Sequence, residues 1–129
     1  MICGPITTLA LTATLLGNQR LKVEERRQDA SIQVCDYEDS TNANAKIELK
    51  DSNGHSIFVR HVRLADMKFY ETPMQRGVVP LKRSTFLFTY PLTSQTKSAV
   101  TVKVTALEGT FVQSARLTPV RQVPMLRIR

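Results

Sequence analysis

The stretch STFLFTYPLTSQTKSAVTVKVTALEGTF, residues 84–111, decides the fold. Up to Pro91 it alternates like a strand, with Phe86, Phe88 and Tyr90 on one side and Thr85, Leu87 and Thr89 on the other. Beyond Pro91 two periods compete. Val100, Val102 and Val104 still alternate, but Val100, Val104, Leu107 and Phe111 also share one face of a helix. The Val and Thr content favours a strand. A helix is favoured by the proline followed by Thr93 and Ser94 as capping candidates, by Ala99 and Ala106, and by Gly109 as a stop. QSARLTPVRQVPMLRIR, residues 113–129, would then form a shorter second segment. The residues alone leave both readings open.

Upstream the period is 2 almost throughout. In TLALTATLL, residues 8–16, Leu9, Leu11, Ala13 and Leu15 oppose Thr8, Ala10, Thr12 and Thr14, and Gly17-Asn18 offers a turn into RLKVEERR. ASIQVCDYE sets Ile32 and Val34 against Gln33, Cys35 and Tyr37, and DSTNAN after it reads as a loop. AKIELK sets Ile47 and Leu49 against Lys46, Glu48 and Lys50. The tetrapeptide DSNG, residues 51–54, suits a tight turn because Asn and Gly tolerate positive φ. SIFVRHVRL then places Val59, His61 and Arg63 on one face and Phe58, Arg60, Val62 and Leu64 on the other. ETPMQRGVVPLKR, with two prolines and a glycine, reads as a loop or frayed edge. The expectation is six or seven strands in an antiparallel meander, in one domain of 129 residues.

The net charge of +7, from 18 Lys and Arg against 11 Asp and Glu, points to a polyanionic partner. After Glu108 no acidic residue follows, whereas Arg116, Arg121, Arg127 and Arg129 do. Cys3 and Cys35 match no zinc spacing and are expected reduced, in a cytoplasm. ITTLALTATLL has the apolarity of a signal-peptide core but no preceding Lys or Arg, and reads as a strand. No run reaches the ~18 apolar residues of a membrane helix, so no membrane partner is expected.

No nucleophile motif, phosphate loop, dinucleotide glycine pattern or metal-spaced histidine pair is present, so no catalytic residue, metal or cofactor is expected. Binding fits better. Lys46 and Lys50, His61 and Arg63, and Lys82 or Arg83 with Thr85 alternate along neighbouring strands and can build a basic sheet face for phosphates. The plainer reading of the same residues is solubilising decoration.

The order of these elements resembles a known family. An N-terminal hairpin, a polar DSNG turn between two central strands, a Pro/Gly loop, and TFLFTYPLTS leading into an Ala/Val/Leu segment are similar to the coat proteins of single-stranded RNA bacteriophages, over roughly residues 46–107. The resemblance implies an α+β fold: an N-terminal hairpin (1–28), a sheet meander (30–91) and a C-terminal helical segment (93–129). It implies an intertwined homodimer with a continuous sheet, assembled in the bacterial host cytoplasm into an icosahedral virion shell. Helices would cover Ile47, Leu49, Val62, Leu64, Phe86 and Phe88. The open face would bind genomic RNA through Lys46, Glu48, Lys50, Val59, His61, Arg63, Arg83 and Thr85, and, as in that family, a translational-operator hairpin, while the loop at 70–80 would touch neighbouring dimers. The Val- and Thr-rich run at 98–105 and the basic MLRIR end depart from the family pattern. Two alternatives stand beside it: an all-β sandwich serving as a decoration, neck or tail protein of a DNA phage, and a monomeric basic β-barrel that binds nucleic acid.

Overall fold

A computed structural model describes residues 3–15, 20–35, 42–65, 67–71, 76–109, 111–118 and 121–122. Among them the chain forms ten strands: β1 (Cys3–Thr14), β2 (Leu21–Cys35), β3 (Ala45–Lys50), β4 (Ser56–Val62), β5 (Met67–Glu71), β6 (Arg76–Pro80), β7 (Arg83–Pro91), β8 (Thr101–Ala106), β9 (Val112–Arg116) and β10 (Arg121–Gln122). The one helical element among the described residues is a single 3-10 turn at Thr96–Ser98.

The expected α+β fold with C-terminal helices is therefore wrong, and the all-β alternative fits. The β-branched run wins as strand β8, whose inward Val102, Val104 and Ala106 are buried and whose Thr101, Lys103 and Thr105 are half-exposed. The competing helical face is not a face at all, since Val100 and Leu107 are exposed. The proline corner is real, but it turns the chain into a second sheet. Thr93 Oγ1 accepts from the Gln95 and Thr96 N–H groups, Thr96 Oγ1 donates to the Pro91 carbonyl at 2.7 Å, and one turn later the Val100 N–H docks on the Lys50 carbonyl at 2.8 Å. No helix is left among the described residues of the 93–129 segment to cross a partner's sheet; the MLRIR end lies outside them.

Two four-stranded sheets result. Sheet A has the order β10-β2-β1-β7 and sheet B the order β4-β3-β8-β9, so neither is a simple meander. All pairings are antiparallel except that of the two-residue β10 with β2. β5 and β6 pair with each other as a third, two-stranded sheet. Residues 76–80, expected as part of a loop or frayed edge, are thus a strand; the tip at 72–75 and the Gly17-Asn18 turn lie outside the described residues.

Sheets A and B pack face to face. Leu9, Leu11, Phe88 and Tyr90 from one meet Ile47, Leu49, Val102 and Val104 from the other in a single buried cluster. Each fully buried aliphatic side chain contributes about 1.5–3 kcal/mol, which makes this cluster the main source of stability. Phe86 and Phe88, Val62 and Leu64 are covered by the opposite sheet, where helices were expected. Two polar links cross the sandwich: Arg60 Nη1 donates to the Thr89 carbonyl and Gln113 Nε2 to the Thr14 carbonyl, each at 2.7 Å.

Cys3 and Cys35, expected as free thiols, face each other across the β1–β2 ladder and form a disulfide. Next to them the Leu92 N–H donates to the Pro5 carbonyl at 2.8 Å. Gly4 permits this approach, because a Cβ there would run into the Leu92 carbonyl.

Candidate nucleic-acid interface

The outward face of sheet B follows from strand alternation and register. Directly opposed residues share a face, and the ladders pair Lys46 with His61 and Thr105, Glu48 with Val59 and Lys103, and Lys50 with Thr101. On the next strand Thr101, Lys103 and Thr105 oppose Arg116, Ser114 and Val112. The strands lie ~4.8 Å apart and alternate residues ~6.8 Å apart, so Lys46, Lys50, His61, Lys103 and Arg116 occupy an area of roughly 14 by 14 Å. Arg63 extends it one residue beyond β4. Its neighbour Leu64 is drawn into the core and held by Asn44, which donates Nδ2 to the Leu64 carbonyl at 2.9 Å and accepts the Leu64 N–H on Oδ1 at 2.7 Å.

One carboxylate sits in the middle. Glu48 is 9% exposed and lies 3.2 Å from Lys46 Nζ. Burial acts to raise its pKa, but hydrogen bonds from Lys46 and Ser56 and the charges of Lys46 and Lys50 outweigh it and hold the carboxyl below its ordinary value. Glu48 is thus engaged by Lys46 of its own strand. Lys50, Lys103, Arg63 and Arg116 add four further cations around it.

Six of the eight residues expected to touch RNA, Lys46, Glu48, Lys50, Val59, His61 and Arg63, therefore share one face. Arg83 and Thr85 do not join them. They lie on β7 in sheet A, where Arg83 opposes Thr14 and the Thr85 hydroxyl meets the Thr12 hydroxyl at 3.1 Å. Lys103 and Arg116, absent from the expected set, complete the patch from β8 and β9. Their signal was the alternation of AVTVKVTA and of VQSAR, which the helical reading set aside. Among the described residues no His/Cys/Asp/Glu group of three or more is arranged to hold a metal ion. Compared with known protein families, characterised proteins and solved structures, the chain matches none.

Proposed function

We propose that the protein is a non-enzymatic β-sandwich that binds single-stranded RNA through the outer face of sheet B. The observation that supports this reading is the gathering of Lys46, Lys50, Lys103, Arg63 and Arg116 around one already paired carboxylate. Such a face attracts phosphates and gains affinity by releasing their counterions. The coat-protein reading loses the helices that would have locked its dimer, but the RNA contact does not depend on them.

The test is binding to a homopolymeric RNA strand across a salt series. A logarithmic salt slope of about −3 is expected for four to five phosphate contacts on a single strand. The variant K46A/K50A/K103A should lower the slope by about 2 and the affinity roughly 100-fold at ~0.1 M salt. An unchanged slope in that variant would falsify the assignment of the face.

A second reading, a sandwich component of a virion that binds other proteins, is favoured by two observations: β8 is the strand that reading requires, and a disulfide suits the oxidising setting of virion and cell surfaces. Electron microscopy of the purified protein, alone and with RNA, separates the two. Assemblies formed without nucleic acid, together with a flat salt series, would favour this second reading.

A further inference from the structure

Two arginines point into the sandwich, and their surroundings differ. Arg60 on β4 is 8% exposed, lies 5.2 and 5.1 Å from the Phe58 and Phe88 ring centres, and donates to the Thr89 carbonyl. Its charge rests on aromatic faces and a backbone acceptor. Arg26 on β2 is 9% exposed and faces inward, opposite fully buried Leu9. No carboxylate among the described residues pairs with it, and its Nε has no hydrogen-bond partner.

Around Arg26 stand two more buried polar groups. Thr7 and Tyr90 are both 0% exposed and oppose each other on β1 and β7, where the phenol is in polar contact with both Arg26 and Thr7 without a well-formed hydrogen bond to either. Thr7 lies one inward position along β1 from Leu9, on the diagonal from Arg26. The phenol does not supply the missing negative charge. Burial raises its pKa, and the nearby Arg26 charge and the polar contacts of Arg26 and Thr7 only temper that rise.

We propose that Arg26, Thr7 and Tyr90 form a binding site for a small oxyanion, of carboxylate or phosphate chemistry, on the inward face of sheet A. A guanidinium and two hydroxyls meet there, all able to donate, with no anionic acceptor among them. A buried cation without a counter-charge is costly, and a water molecule would satisfy the donors without neutralising the charge. An oxyanion does both, through charge-assisted hydrogen bonds to the planar guanidinium.

The test uses the whole protein, titrated separately with sodium acetate and sodium phosphate at constant ionic strength, following the backbone amide signals of Thr7, Arg26 and Tyr90 and the melting temperature. Saturable shifts confined to those strands are expected with at least one anion, and acetate against phosphate tells a carboxylate ligand from a phosphate one. R26Q should abolish saturation. Y90F, which keeps the ring and its packing, should weaken binding roughly tenfold through the loss of one donor. Linear shifts with both anions, or saturation that survives in R26Q or is unchanged in Y90F, overturn the site.

Discussion

The two sheets solve the same packing problem by different means. Sheet A is irregular: the β1–β2 register shifts twice, at Pro5/Ile6 and at Ala10/Leu11, and the disulfide closes one end. Its inward face includes buried Thr7, Arg26 and Ser84. On its outward face Thr8 opposes Thr89 and Thr12 opposes Thr85, and at its margin Arg27 pairs with Glu25 at 3.1 Å and Lys22 with Glu24 at 3.4 Å. Sheet B runs without a register shift through β3–β8 and β8–β9 and shifts once between β3 and β4, at Leu49/Lys50; its inside is apolar apart from Arg60 and Gln113, and it carries the cationic patch outside. Regularity is what turns scattered lysines into a patch, because a slip of one residue would send each of them to the other face. Irregularity in sheet A has the opposite effect, freeing residues 30–32 from the ladder and exposing Ile32.

If the contrast lies in the faces and edges and not in the core, truncation inside should not distinguish the sheets. Leu9 in sheet A and Leu49 in sheet B are both fully buried in one cluster. Leu9→Ala and Leu49→Ala should each cost about 2–5 kcal/mol in denaturant unfolding, in one transition. Two separate transitions would show that the sheets are independent units. The disulfide, by contrast, should separate them. Closing a loop across a separation of 32 residues is worth about 3.7 kcal/mol by the chain-entropy relation. In C3S/C35S, hydrogen exchange should quicken most at Gly4, Val34 and Leu92, which adjoin the bond, and least at β3 and β8. Protection lost evenly across both sheets would contradict a local clip.

How much of this was legible in the sequence follows the same divide. Strand faces with strict alternation read correctly: Phe58, Arg60, Val62 and Leu64 point inward, and Val59, His61 and Arg63 outward. The DSNG turn also read correctly, with Gly54 at φ +80° and Asp51 Oδ1 accepting the Asn53 and His55 N–H groups. Residues 100–106 were ambiguous because β-branched residues spaced by four satisfy both periods; the family resemblance tipped them to a helix, whereas packing against Ile47 and Leu49 selects the strand. The helical choice then removed Lys103 and Arg116 from view, although their charge was plain. Arg83 and Thr85 were grouped with β3 and β4 because nothing in alternation says which of two sheets a strand joins. The disulfide was illegible for a related reason: Cys3 and Cys35 become neighbours only through a register that shifts twice between them.

The finest test of the contrast is Glu48, the acid within the basic face. Glu48 holds Lys46 by an ion pair, so it competes with any phosphate for that lysine. Glu48→Gln keeps the shape, removes one negative charge and releases Lys46, so RNA affinity should rise by several-fold at ~0.1 M salt and the salt slope should steepen by about 0.7. The same variant isolates a pH effect. Because the folded carboxyl titrates below its ordinary value of 4.5, the stability it contributes is present above that value and is lost as pH falls through the folded pKa. Unfolding free energies measured from pH 6 to 2, a window about two units either side of the usual carboxylate range, should show that this part of the acid-limb decline is missing in Glu48→Gln. Weaker RNA binding in the variant would mean instead that the carboxylate itself contacts the nucleic acid, accepting a hydrogen bond from a base, and that the cations of sheet B are arranged around Glu48 as a reader and not around a suppressed charge.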